Sequence, residues 1–182
     1  MRVQKTGNQE KEAAMSEQMQ TVEAVRTAIQ MEIDGKEFYL KAAQASQNPL
    51  GKSLFQQLAK EEDNHRLKFE EIYKAIQANK AWPEVDITPH GGKELETLFA
   101  RAEKNVASTD TELEAVQTAM NMENKTRDFY RDRAGKASFP AEKNYYQTLE
   151  REEAAHHMSL YDYYEYMKDP AGWFTMKEKH SL

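Results

Sequence analysis

Along four stretches of the chain, apolar positions recur at alternating spacings of three and four, the signature of helices that each bury one face. The first stretch runs from Ser16, a residue type suited to an N-cap, to about Ser46, with Val25, Ala28, Glu32, Gly35, Tyr39 and Ala42 on its stripe. Asn48-Pro49 then marks a turn, Asn as cap and Pro at the first helical position, and opens a second helix to about Asn79. Its stripe is Phe55, Leu58, Glu62, His65, Phe69 and Ile72. Thr109-Asp110-Thr111-Glu112 reads as a capping box for a third helix to about Lys136, with Val116, Ala119, Glu123, Thr126 and Tyr130 in line. Pro140 starts a fourth helix to about Lys168, carrying Tyr146, Leu149, Glu153, His156, Leu160 and Tyr163.

Between the second and third helices, residues 80–108 lose this periodicity at Trp82-Pro83, Pro89 and Gly91-Gly92, with a short helix expected over Lys93 to Asn105. That is long for a helix–helix turn and suits a crossover between the two halves of a bundle. Residues 1–15 are polar and read as a frayed tail. Residues 169–182, with Pro170 and Gly172, read as a tail leaving the bundle, its Trp173 and Phe174 covering a bundle end or a subunit contact.

A shift of 91 positions superimposes one half of the chain on the other without a gap. It carries Glu23-Ala24-Val25 onto Glu114-Ala115-Val116, Met31-Glu32 onto Met122-Glu123, and Phe38-Tyr39 onto Phe129-Tyr130. Pro49 falls on Pro140, and Glu61-Glu62 with His65 falls on Glu152-Glu153 with His156. A duplicated hairpin that cannot bury its apolar face alone predicts two hairpins packed together. The expected fold is all-α, a four-helix bundle over residues 16–168.

Charged residues are plentiful at 31%, and the net charge of −6 argues against a nucleic-acid surface, which needs a clustered basic face. The chain holds no cysteine, which excludes disulfides, zinc ribbons, iron–sulfur clusters and thiol catalysis. No apolar run is long enough to span a bilayer, and the start lacks a signal-peptide core, so a cytoplasmic protein is expected.

Against this background the polar residues on the stripes stand out. Glu62 and His65, and Glu153 and His156, are each spaced i and i+3, so each pair shares a helix face. Glu32 precedes Glu62, and Glu123 precedes Glu153, by the same thirty positions, which places all four carboxylates at similar depth in antiparallel hairpins. Four buried carboxylates would repel one another unless protonated or neutralised. Two divalent cations cancel four negative charges, and mixed carboxylate and imidazole donors suit iron, manganese, cobalt or zinc. Glutamates with two Glu-x-x-His pairs on four helices are the arrangement the general description of di-metal bundles gives.

The motifs Glu62-Asp63-Asn64-His65 and Glu153-Ala154-Ala155-His156, with Glu32 before Phe38-Tyr39 and Glu123 before Phe129-Tyr130, resemble the rubrerythrin-type diiron domain of the ferritin-like superfamily over roughly residues 20–168. The resemblance implies a non-haem centre of two iron ions, with Mn or Zn as substitutes, that reacts with peroxide or dioxygen. Glu62 and Glu153 would bridge the metals, and Glu32, His65, Glu123 and His156 would be terminal ligands. Tyr39 and Tyr130 would be the candidate catalytic side chains, donating hydrogen bonds to carboxylates. Without cysteine the chain cannot hold the rubredoxin-like iron of full-length relatives, so an external electron donor is implied, and a homodimer is expected by resemblance. Thr126 stands where such relatives carry an extra glutamate, leaving a symmetric set of six ligands.

Three functions are weighed: a diiron peroxidase or ferroxidase in oxidative stress or iron handling, a non-enzymatic metal-binding or iron-storage protein, and a structural bundle with a satisfied polar core. Against a storage cage stands the absence of an obvious fifth helix at the end of the chain. Glu61 and Glu152 sit about 100° round the helix from the stripe and are left out of the site. His157 is expected in solvent, and His90 and His180 in loop and tail.

Overall fold

The computed structural model describes residues 3–79, 81–85, 98 and 110–180, with side chains for 15–78, 81–85, 98 and 110–177. Among these residues the structure is helical throughout, without strands: α1 (Val3–Ala45), α2 (Pro49–Asn79), α3 (Asp110–Lys136), α4 (Pro140–Lys168) and α5 (Pro170–His180). α1 packs along α2 and α3 along α4, α1 touches α3, and α5 lies against α4. The all-α bundle of two hairpins is therefore present as expected.

The internal boundaries follow from local chemistry. Pro49 opens α2, and the Asn48 side chain accepts a hydrogen bond from the Leu50 amide at 2.9 Å, satisfying one of the free donors of the first turn. Pro140 opens α4 behind an extended Phe139, and Glu142 accepts from the Ser138 amide at 3.2 Å. The Thr109 of the expected capping box lies outside the described residues, as does the expected helix over 93–105 apart from Leu98.

Both ends of the chain differ from expectation. The helix does not start at Ser16 but runs back to Val3, so the supposed tail is helical and Ser16 is a mid-helix position. Residues such as Glu10, Lys11, Glu12, Ala13 and Ala14 are good helix formers even though they form no apolar stripe. At the other end, 170–180 is a helix rather than a departing tail. Asp169 caps it, accepting from the Gly172 amide at 3.0 Å on Oδ1 and from the Trp173 amide at 2.9 Å on its carbonyl. Trp173 is buried against Tyr166, ring centroids 5.6 Å apart, so the segment does cover a bundle end. The chain thus has the fifth helix whose absence counted against a storage cage.

The core is two apolar clusters rather than one. The first holds Tyr39, Leu54, Phe55, Leu58, Val116, Ala119, Leu160 and Tyr163 among others, and the second holds Val25, Ala28, Phe69, Ile72, Tyr130, Tyr145, Tyr146 and Leu149. Positions related by the repeat fall in opposite clusters: Phe55 in one and Tyr146 in the other, Phe69 in one and Leu160 in the other. Burying each large side chain contributes about 2 kcal/mol, which offsets the cost of the polar layer the two clusters flank. That layer is Glu32, Glu62, His65, Glu123, Glu153 and His156, all buried.

Two glycines mark close approaches. A Cβ on Gly35 would lie 3.4 Å from Glu62 Cγ, in ordinary van der Waals contact, so α1 passes close to the layer here. A Cβ on Gly51 would overlap the Tyr163 hydroxyl, which donates to the buried Glu112 at 2.7 Å. Ser46 Oγ donates to the same Glu112 oxygen at 2.5 Å, tying α1, α3 and α4 together at this end.

Candidate metal centre

The six stripe residues meet at mid-bundle. Glu32 comes from α1, Glu62 and His65 from α2, Glu123 from α3, and Glu153 and His156 from α4. Their donor atoms form two quartets, each within 4.8 Å: Glu32, Glu62, His65 and Glu153 in one, Glu62, Glu123, Glu153 and His156 in the other. Glu62 and Glu153 belong to both. The two imidazole rings face each other with centroids 5.9 Å apart and planes 18° from parallel.

Each histidine is anchored from behind by a carboxylate on the opposite hairpin. His65 Nε2 lies 2.8 Å from Glu152 Oε2, and His156 Nε2 lies 2.8 Å from Glu61 Oε2. An ionised carboxylate only accepts, so Nε2 carries the proton and Nδ1 is directed into the quartet. Glu61 is itself held by Gln57 Nε2 at 2.8 Å. These two glutamates, off the stripe in the sequence, contact the two histidines of the quartets. The 100° offset removes them from the stripe facing one neighbour, but α2 and α4 also face each other, and that second contact buries Glu61. The repeat offered the signal, since it pairs Glu61 with Glu152.

Tyr39 and Tyr130 cross the same way. The Tyr39 hydroxyl donates to Glu123 Oε1, and the Tyr130 hydroxyl donates to Glu32 Oε1, so each phenol serves the glutamate of the other half rather than the one on its own helix. Thr126 Oγ1 instead bonds back to the Met122 carbonyl at 3.2 Å. His157 is half-buried rather than fully in solvent, because α4 is covered on more than one side. His90 and the side chain of His180 lie outside the described residues.

Burial and crowding set the charge state. Burial and the adjacent Glu62 carboxylate push Glu32 up to about 8. Burial, then the charges of Glu62 and Glu123, raise Glu153 well above the ordinary carboxylate range. Burial also acts upward on Glu62, but its close contacts with Glu32, His156 and His65 outweigh it and hold that carboxyl well below its usual value. For the histidines burial acts downward. It is overcome by Glu32 and Glu152 around His65 and by Glu123, Glu153 and Glu61 around His156, so both imidazoles lie well above their ordinary value. Burial, then Glu123 for one and Glu32 for the other, pushes the phenols of Tyr39 and Tyr130 well upward.

In the metal-free protein these shifts favour bound protons on Glu32, Glu153 and the two histidines, yet the layer stays incompletely paired. Glu32 Oε2, both Glu153 oxygens, His65 Nδ1 and His156 Nδ1 are all buried without a hydrogen-bond partner. Buried polar atoms without a hydrogen bond are costly, and these five face one another at 3.3–3.6 Å, as ion pairs longer than a hydrogen bond. Oxygen and nitrogen donors in two overlapping quartets fit a pair of divalent cations.

A family model described as rubrerythrin matches residues 23–164, from the start of the α1 stripe to the last turns of α4. The chain belongs to the rubrerythrin family. Its domain is the ferritin-like diiron carboxylate bundle, and the matched span contains every residue of both quartets together with Tyr39, Tyr130, Glu61 and Glu152. Comparison with curated proteins gave no match, nor did comparison with solved structures. Among the described residues of this rubrerythrin-family chain, no helix is long and apolar enough to cross a membrane.

Proposed function

We propose that this rubrerythrin-family protein is a non-haem diiron oxidoreductase that reacts with peroxide or dioxygen, drawing electrons from an external donor in the cytoplasm. The observation that carries the reading is the set of five orphaned donor atoms around a space that two quartets share. Glu62 and Glu153 would bridge the two irons, with Glu32 and His65 completing one site and Glu123 and His156 the other. The bound pair would supply the redox change. Carboxylates can shift between terminal and bridging modes as metal charge changes, while Glu61 and Glu152 hold the imidazoles and Tyr39 and Tyr130 hold the terminal glutamates.

Anaerobic Fe(II) titration, followed by rapid mixing with peroxide and separately with dioxygen, tests this. Two irons per chain and faster oxidation by peroxide are expected. Iron that binds and is oxidised by neither would overturn the redox reading in favour of a redox-silent metal. Glu62→Ala combined with Glu153→Ala should abolish metal binding, and unchanged metal content in that variant would remove the site itself.

A second reading, iron storage, draws support from α5, the fifth helix seated on the bundle end. Size-exclusion chromatography separates the two. A dimer-sized species supports the small enzyme, and a very large iron-loaded particle supports storage.

A further inference from the structure

Behind each crossing tyrosine runs a line of aromatic rings, and each line ends at one of the chain's 2 tryptophans. On one side Tyr130 touches Tyr146, centroids 5.9 Å apart, and Tyr146 touches Trp82 at 5.5 Å. On the other, Tyr39 touches Phe55 at 6.2 Å, Phe55 touches Tyr163 at 6.1 Å, and Tyr163 and Tyr166 lead on to Trp173. Centroid separations of 5.5–6.2 Å are short enough for fast electron transfer between the rings. The two lines differ in one respect that matters. Every ring between Tyr130 and Trp82 is oxidisable, whereas Phe55, the repeat equivalent of Tyr146, interrupts the Tyr39 line.

The two ends of the Tyr130 line have what an oxidisable chain needs. Forming a neutral phenoxyl radical requires somewhere for the proton to go, and Tyr130 is hydrogen-bonded to Glu32 Oε1. The buried Tyr146 hydroxyl faces the Arg133 guanidinium, which cannot take its proton, so its ring is suited to conducting rather than to holding a radical. Trp82 lines a surface cavity of about 210 Å³ shared with Glu17, Thr21, Ile76, Ser138 and Phe139, where the Glu17 carboxylate can accept from the hydroxyls of a small reductant.

We propose that Tyr130, Tyr146 and Trp82 form a relay that carries an oxidising equivalent from the metal centre to the Trp82 cavity, where a small one-electron reductant of the enediol class quenches it. The proposal rests on the peroxide chemistry proposed above, with peroxide as the oxidant. Tyr130 gives one electron to the oxidised centre and its proton to Glu32 Oε1. An electron from Trp82, crossing the Tyr146 ring, and the proton returning from Glu32 restore Tyr130. Trp82, now short of one electron, takes one from the reductant at the cavity. The net change is one electron from reductant to centre, with every protein side chain restored. The relay serves strongly oxidising states only, because an indole is too weak a reductant for ordinary turnover. It protects the ligand carboxylates and imidazoles when the usual donor is scarce.

The path can be tested apart from the iron chemistry. In full-length zinc-loaded protein carrying Trp173→Phe, Trp82 is the sole indole, and pulse-generated azidyl radical oxidises indole in preference to phenol. The same path run in reverse, without a reductant at the cavity to draw the hole outward, is expected to carry the Trp82 radical to a tyrosine in a first-order step independent of protein concentration. Tyr130→Phe should abolish that step, Tyr146→Phe should slow it, and Tyr145→Phe, which also removes a phenol beside Trp82, should leave it intact. Transfer that survives Tyr130→Phe unchanged, at unchanged zinc content, overturns the relay. In the mirror background with Trp82→Phe, Tyr39→Phe should not alter the fate of the Trp173 radical, because Phe55 lies between them. With iron and peroxide, freeze-quenched Trp82→Phe protein should retain more tyrosyl radical in the presence of ascorbate than wild type. Failure of peroxide to oxidise the iron, with radiolytic transfer intact, would overturn the proposed function and remove the relay's oxidant, while leaving the electron path between Trp82 and Tyr130 in place.

Discussion

Glu61 and Glu152 do for the imidazoles what Tyr39 and Tyr130 do for the terminal glutamates: they hold the far end of a donor so that its near end faces the quartet. The magnitude of that help is measurable. Glu61→Ala should weaken Co(II) or Zn(II) binding by roughly 10- to 100-fold, as loss of such a partner commonly does, while Glu61→Gln, which still accepts from Nε2, should retain most of the affinity. Calorimetric titration reads this directly, and an Ala variant with wild-type affinity would reduce Glu61 to a packing residue. That Glu32, Glu62, His65, Glu123, Glu153 and His156 come together was legible, because a polar or charged side chain in an apolar stripe is an anomaly at any helix position. Glu61 and Glu152 were not, because one stripe describes one contact, and α2 makes two.

At the scale of the helix, punctuation mattered more than period. Pro49 and Pro140 placed two helix starts to the residue, since Pro at the first helical position is both tolerated and preorganised. The same pairing of a capping side chain with Pro recurs at Asp169-Pro170, where it was read as an exit, although it starts α5. The start of α1 carried no such mark, because helix formers without an apolar face leave no period to detect. Two substitutions test how the bundle end is held. Gly51→Ala should cost about 2 kcal/mol by overpacking against Tyr163, read as a lowered denaturation midpoint at unchanged slope. Trp173→Ala should cost about 3 kcal/mol and loosen α5, with faster amide exchange over residues 170–177 than over α4.

Over the whole molecule, the polar layer makes stability depend on pH and metal in opposite senses. Glu32 has a folded value of about 8 against an ordinary 4.5, and Glu153, His65 and His156 are also raised, so between those limits the native state holds more protons than the unfolded chain. Stability of the metal-free protein must then fall as pH rises through this window. Glu62, held low, acts the other way only below its ordinary 4.5. Chelator-treated protein should therefore melt at lower temperature at about pH 8 than at about pH 5.5. Metal-loaded protein should show the reverse trend, because the cations bind deprotonated ligands and release their protons. A metal-free melting temperature that rises across this range would contradict the charge distribution described for the layer.

The exchanged partners have a bearing on ancestry. Under the repeat, the Tyr39–Glu123 and Tyr130–Glu32 bonds are one bond written twice, and so are His65–Glu152 and His156–Glu61. A lone hairpin meeting an identical copy would close all four contacts by symmetry, before any fusion joined the copies. A centre of this kind could thus have arisen whole in a dimer of half-length chains, with gene fusion preserving it. The two halves were then free to diverge, as Phe55 against Tyr146 shows.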